Sequence, residues 1–286
     1  MSAVPRAAVA LLLAACGAAA GDALAEPPAA LPRPFHVIAH RGGSAFAPEN
    51  TLPAFARALE IGVFEVELDV QLSLDSAPVL FHDSTLDEKT PLTGRVREHR
   101  AAELTRADIG LWFDHTHPGA ARGFAGTTLT TLPALFAAFG PKLFYHVEIK
   151  DELEETPGVV LAAVAAAGLE GRVMLTSFHR AQLERARRRA PGVPACWLLK
   201  DPQPAQIDEA AAAGFAMVGV RADQLSAELV RAAHARGLEI RAFGVADSDA
   251  EMERALRSGC NGMTLDAPER LVARVLDLLR APQPAR

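Results

Sequence analysis

The chain has 286 residues, of which 50% are hydrophobic, 22% charged and 6% aromatic. This is an ordinary globular composition, long enough for one large domain or two small ones. A formal charge of −6 and a pI of about 5.9 leave no basic field to recruit nucleic acid, so an anionic ligand has to be held by local cations or a metal.

At the N-terminus, Arg6 precedes an apolar stretch over 7–20 that is too short to span a bilayer, and Ala23-Leu24-Ala25 before Glu26 is a small-residue cleavage site. These features predict a signal peptide over 1–25. A competing pattern, Leu13-Ala14-Ala15-Cys16-Gly17, resembles a bacterial lipoprotein signal over 1–15, with Cys16 lipidated as a membrane tether. Both predict an extracytoplasmic, periplasmic protein, soluble or lipid-anchored. Residues 26–34 carry Pro27, Pro28, Pro32 and Pro34 and read as a linker to a domain over 35–280.

Apolar runs predict strands over 35–40, 64–70, 78–82, 143–149, 172–177, 194–199, 216–220, 239–245 and 261–265. Helical patterns fall between several of them, over 51–60, 132–139, 158–167, 179–189, 204–213, 226–236 and 247–258. Alternation of this kind predicts a parallel sheet covered by helices. Only residues 71–77 separate the second run from the third, too few for a helical crossover, so those two form a hairpin. The remaining eight strands fit a closed TIM-type (β/α)8 barrel, with a doubly wound sheet as the alternative. Residues 83–130 break the rhythm as a loop-rich insertion with one short helix over 101–106. Cys196 and Cys260 have no metal spacing; they read as buried thiols, with a disulfide as the alternative.

In a parallel barrel, reactive residues belong at the C-terminal strand ends. The first strand ends in His40-Arg41-Gly42-Gly43, joining a titratable imidazole and a permanent cation to residues that let a ligand approach the backbone. The second strand holds Glu67 and Asp69, and the third parallel strand Glu148 and Lys150, each pair two apart and on one face. The hairpin strand ends in His82-Asp83. Glu67, Asp69 and Glu148 would repel unless neutralised, which suggests an all-oxygen site for Ca2+ or Mg2+. The alternative is a salt-bridged rim with Arg41 and Lys150 as partners. Two histidines, two cations and a hard metal suggest phosphoryl chemistry, one histidine taking a proton from the nucleophile and the other giving one to the leaving alkoxide.

His40-Arg41-Gly42, Pro48-Glu49-Asn50-Thr51, Glu67-Leu68-Asp69-Val70, Val79-Leu80-Phe81-His82-Asp83, Glu148-Ile149-Lys150 and Ser177-Phe178 resemble, in order and spacing, the motifs of the glycerophosphodiester phosphodiesterase family. Thr264 and Asp266-Ala267-Pro268 resemble its closing segment with one residue inserted. The resemblance runs from about 35 to 275. It implies a TIM-type barrel with an inserted subdomain, and metal-dependent hydrolysis of glycerophosphodiesters to glycerol 3-phosphate and an alcohol. It further implies His40 as general base, His82 as general acid, Glu67, Asp69 and Glu148 as ligands of one divalent cation, and Arg41 and Lys150 as phosphate contacts.

Pro48-Glu49-Asn50-Thr51 also offers Asn50 or Thr51 as a cap for the following helix, the reading preferred over substrate contact. Phe178 would wall the pocket, and His146 reads as a core histidine. The chain departs from the family where Glu88-Lys89-Thr90 replaces Arg-Thr-Thr. It departs again where Phe243-Gly244-Val245-Ala246 replaces Trp-Thr-Val-Asn, which places Phe243 at the pocket wall and affects head-group preference. Two other readings stay open: a lysophospholipase D-type phosphodiesterase, with Leu111, Trp112 and Phe113 lining an acyl groove, and a lipoprotein that binds a glycerophosphodiester without cleaving it. The His40/His82 pair speaks against the second.

Overall fold

A computed structural model of the protein describes residues 31–280 except 33, 121, 122, 246 and 247. The signal-peptide and lipoprotein readings, Cys16 included, and residues 26–30 and 33 of the linker lie outside the described residues.

Nine strands form one sheet: β1 (His36–Ala39), β2 (Glu65–Leu72), β3 (Pro78–Leu80), β4 (Phe144–Ile149), β5 (Val173–Ser177), β6 (Ala195–Leu199), β7 (Met217–Arg221), β8 (Glu239–Phe243) and β9 (Gly262–Leu265). All but β3 pair in parallel, and the β1–β2 and β1–β9 pairings close the ring. The result is the expected eight-stranded barrel. β3 runs antiparallel to β2, with Val70 opposite Leu80, which is the hairpin that the short connection demands.

Among the described residues ten α-helices accompany the strands: α1 (Leu52–Glu60), α2 (Ala101–Leu104), α3 (Gly110–Thr116), α4 (Leu132–Phe139), α5 (Thr156–Ala167), α6 (Arg180–Arg189), α7 (Pro204–Ala212), α8 (Ala227–Ala235), α9 (Asp249–Ser258) and α10 (Pro268–Arg280). Two were not expected. α3 starts at a glycine inside the insertion, without a regular apolar period. α10 does carry a signal, a proline in its first turn and apolar residues at 271, 272, 275 and 278 that pack on the barrel. The predicted start of α9 at Asp247 lies outside the described residues.

Alternation along the strands divides the core in two. Outward residues such as Val66, Leu68, Val147, Leu175 and Val218 pack under the helices. Inward positions carry Met174, Cys196, Leu198 and Met217, with Phe144, Phe178 and Phe243 partly buried against them. Most inward positions of β1, β2 and β4 are instead polar, with His36, Glu65, Glu67, Asp69, His146 and Glu148. The insertion has an apolar centre of its own, in which Leu86, Val96, Leu104, Ile109 and Leu129 gather around Val79 of β3. Cys196 and Cys260 are both buried and free.

Candidate active site

β1 leads into a tight turn over His40–Gly42, where the backbone does unusual things for a reason. Arg41 has φ of 51° and Asn50 φ of 58°, left-handed values that cost a side-chain-bearing residue about 1 kcal/mol or more. Both are held there by the site. The Arg41 amide donates to Glu67 Oε2 at 3.1 Å, and the Asn50 amide donates to the Arg41 carbonyl at 2.9 Å. Gly42 has φ of 87°, and a Cβ there would sit 2.9 Å from Ala54 Cβ and from Phe55, so the turn packs directly on α1.

Asn50 does not cap α1. Its side chain clamps Asp69 instead, donating to Oδ2 at 2.9 Å and accepting from the Asp69 amide at 3.1 Å. Thr51 occupies the N-cap position, but its hydroxyl donates to the Pro48 carbonyl and makes no capping bond. The cap expectation fails because Asn50 is spent on a buried carboxylate, whose charge makes its hydrogen bonds stronger than one from a helix amide, and Thr51 on the Pro48 carbonyl.

Glu67 and Asp69 on β2 and Glu148 on β4 converge, with one oxygen of each within 4.8 Å of the others. Register explains the meeting, since Asp69 lies opposite Glu148 across the β2–β4 pair. All three are buried. Arg41 Nε lies 3.5 Å from Asp69 Oδ2, and Lys150 Nζ lies 3.4 Å from Asp69 Oδ1 and 2.9 Å from Glu148 Oε1. The two predicted phosphate contacts therefore act first as counter-ions, the salt-bridged rim anticipated as an alternative.

That rim is incomplete. Glu67 Oε1 and Asp69 Oδ1 are buried without a hydrogen-bond donor. Burial, reinforced by Asp69, pushes Glu67 up to about 7. Burial and Asp69 likewise raise Glu148. Asp69 goes the other way: burial works against its charge, yet Lys150 and Arg41 hold it well below the usual carboxylate range. Three carboxyl groups short of positive charge, with oxygens aimed at one another, fit a hard divalent cation.

The histidines flank this group from different supports. His40 follows β1 on the barrel wall. Its Nδ1 lies 2.5 Å from Asp266 Oδ1, just beyond β9, and its Nε2 lies 3.8 Å from Glu67 Oε2. Burial lowers the proton affinity of His40, but Asp266 and Glu67 outweigh it and the pKa rises. Ser44 also donates to Asp266, which fixes the carboxylate. His82 follows β3, on the hairpin outside the barrel, and its Nδ1 lies 2.7 Å from Asp83 Oδ1. Burial would raise Asp83, but His82 and Lys89 bring it down to about 2. Each imidazole thus has one ring nitrogen engaged by a carboxylate.

Phe178 and Phe243 meet edge to face at 5.5 Å between ring centroids. Beside His40, Arg41, Glu49 and Asp266 opens a groove of about 1130 Å³, walled by Phe46 and Pro53 on one side and Trp112 and Phe124 of the insertion on the other. Neither Phe178 nor Phe243 lines that groove.

Sequence reasoning gave no site role to Asp266 or Lys89. Asp266 is 226 residues from the histidine it orients, so no local pattern marks it. Its one signal was its place in the closing Asp266-Ala267-Pro268 segment.

A profile of the Glycerophosphoryl diester phosphodiesterase family matches residues 40–270. A glycerophosphodiester phosphodiesterase of Caldanaerobacter subterraneus subsp. tengcongensis is 32% identical over 245 residues, covering 82% of this chain and 96% of its own. The crystal structure of glycerophosphodiester phosphodiesterase from Agrobacterium tumefaciens superposes with a TM-score of 0.71 at 26% identity, over 84% of this chain and 99% of that one. An Oleispira antarctica phosphodiesterase, solved in complex with its product sn-glycerol-3-phosphate, shares the fold with a TM-score of 0.75 at 24% identity, over 88% of this chain and 98% of that one. With the barrel, the two carboxylate-bound histidines and the buried carboxyl triad in place, the chain belongs to the glycerophosphoryl diester phosphodiesterase family.

Proposed function

We propose that this protein hydrolyses glycerophosphodiesters to glycerol 3-phosphate and an alcohol. The observation that carries the reading is the pair of carboxylate-bound histidines, His40 with Asp266 and His82 with Asp83, set around an undercharged carboxyl triad. Binding alone needs no proton shuttle.

Glu67, Asp69 and Glu148 would hold one divalent cation, Ca2+ or Mg2+, whose charge polarises the phosphoryl oxygens when it is bound. Arg41 and Lys150, both at the rim of the triad, contact the phosphate and share its charge between them. His40 takes the proton from the nucleophile, a water, or a neighbouring substrate hydroxyl whose cyclic phosphate product a water then opens to glycerol 3-phosphate. Asp266 orients its ring and stabilises the imidazolium that forms, as a carboxylate does in other acid–base couples. The new P–O bond forms as the bond to the alcohol breaks, and His82 gives its proton to the departing oxygen. Phe178 and Phe243 form an aromatic wall for the alcohol. The groove beside His40 gives room for a substituent on the glycerol side, which keeps monoacyl substrates within the test.

The N-terminal pattern supports secretion from the cytoplasm, with Cys16 as a tether in the lipoprotein form. Mass analysis of membrane-fraction protein distinguishes a lipid on Cys16 from cleavage after Ala25.

The deciding experiment is hydrolysis of glycerophosphocholine and of its monoacyl form by purified protein, with EDTA and a Ca2+/Mg2+ series. Release of choline abolished by EDTA and restored by one of the ions is expected. Turnover indifferent to EDTA would sink the metal assignment, and no turnover of any diester would sink the activity.

A further inference from the structure

A second acidic group lies at the mouth. Glu49, His82 and Asp83 bring ligand atoms within 4.8 Å of one another, as close as the carboxyl triad. This group already contains its cation. Lys89 reaches in from the insertion, 8% exposed, with Nζ 2.9 Å from Glu49 Oε1 and 2.9 Å from Asp83 Oδ2. The indole of Trp112 covers the ammonium at 4.8 Å from the ring centroid.

Each of those carboxylates spends its other oxygen on a residue of the mouth. Glu49 Oε2 accepts from Arg41 Nη1 at 2.8 Å, and Asp83 Oδ1 engages His82 Nδ1 at 2.7 Å. Lys89 is therefore the middle link of a chain running His82, Asp83, Lys89, Glu49, Arg41. Without an ammonium between them, the buried Glu49 and half-buried Asp83 carboxylates repel, and each would pull its partner out of line. The lysine departs from the usual family pattern, in which Arg-Thr-Thr stands where this chain has Glu88-Lys89-Thr90.

We propose that Lys89 is a positioning residue for the reaction. Its ammonium does structurally what a metal ion does at the triad, fixing the proton donor His82 and the phosphate contact Arg41 in one frame. Through Trp112 it makes that frame continuous with the packing of the insertion. The roles of His82 and Arg41 in this statement rest on the proposed function; the frame itself does not.

The test uses the full-length protein with Lys89→Met and Lys89→Arg, read in two ways. The first is steady-state hydrolysis of glycerophosphocholine. Lys89→Met is expected to lose about 10- to 100-fold in kcat, the cost of a misplaced catalytic group, with KM little changed, and Lys89→Arg to recover most of the loss. The second needs no substrate: two-bond 1H–15N spectra of the His82 ring, assigned with His82→Asn. Wild type and Lys89→Arg should carry a proton on Nδ1, held by Asp83, and Lys89→Met should lose that ordered Nδ1–H in part of the molecules. An unchanged His82 spectrum in Lys89→Met overturns the proposal whatever the turnover does. If wild type cleaves no diester, the functional reading fails while the spectra still decide the role of Lys89. Should methionine at 89 prevent folding, Lys89→Gln carries the same two measurements.

Discussion

The two ends of the barrel lumen are built from the same strands and the same residue types, and they differ in how their charges are balanced. At the floor, Glu65 of β2 lies between His36 and His146, at 2.9 Å and 3.0 Å, and His36 reaches Glu239 of β8 at 3.0 Å with its other nitrogen. Burial opposes a charge on His36, yet Glu239 and Glu65 raise it to about 9. Burial pushes Glu65 up, but His146 and His36 bring it down to about 2. Among His36, Glu65, His146 and Glu239 only the His146 Nδ1 is a buried atom lacking a partner, whereas Arg241 Nε and Thr176 Oγ1, farther along β8 and β5, are unpartnered too. At the mouth, three orphaned atoms, Arg41 Nε, Glu67 Oε1 and Asp69 Oδ1, surround carboxyl groups whose proton affinities are pushed apart. Residue type alone does not separate structure from chemistry here. Unfinished neutralisation does.

The contrast breaks most sharply under histidine replacement. His40→Ala and His82→Ala should each lose about 10²–10⁴-fold in kcat against glycerophosphocholine while melting near the wild-type temperature. His36→Ala should do the reverse, keeping its turnover and melting early. If His36→Ala silenced the folded enzyme, the division of the lumen would be wrong.

Removing one partner from the floor comes next. Glu65→Gln strands two histidines and should cost about 3–5 kcal/mol in urea unfolding, the usual consequence of breaking a buried pair. Glu67→Gln at the mouth removes a repelling charge and should leave the metal-free protein as stable as wild type.

The same pair of variants separates the ends by metal. A divalent cation at a hundredfold excess over its dissociation constant should stabilise wild type and Glu65→Gln by about 2.7 kcal/mol in a thermal-shift series, and Glu67→Gln not at all.

The smallest effect is on pH. The folded pKa of His36 lies above its unfolded value of about 6.5, so its contribution to stability is complete below that value. It disappears as pH rises toward about 9, a loss on the order of 2–3 kcal/mol, and His36→Gln should flatten that part of the stability curve.

Much of this was legible in the residues. The short link between β2 and β3 dictated a hairpin, and the remaining runs numbered eight, so the barrel followed from counting. Glu67, Asp69 and Glu148 were found because polar residues interrupting apolar strands at spacings of two must share a face. Asn50 was misread because an Asn-Thr before a helix is the usual cap, and only the third dimension reveals a carboxylate competing for its amide. Asp266 and Lys89 escaped for a related cause. Each acts on a group that is remote in sequence, and neither sits in a pattern whose period announces its partner. α10 has a readable period of its own but follows the last strand, where no further strand calls for a crossover helix.

The hairpin has a consequence for folding fidelity. His40 stands on a ring that cannot close in another register without losing every strand pair. His82 hangs from β3, a three-residue strand paired with β2 of the ring on one edge and bridged through Val79 to Thr131 on the other. In such a ribbon, a slip of one position turns each side chain to the opposite face. A chain that settled one notch off would have an intact barrel, a normal far-ultraviolet spectrum and no proton donor. Active-site titration, not melting temperature, is the assay that would count such molecules.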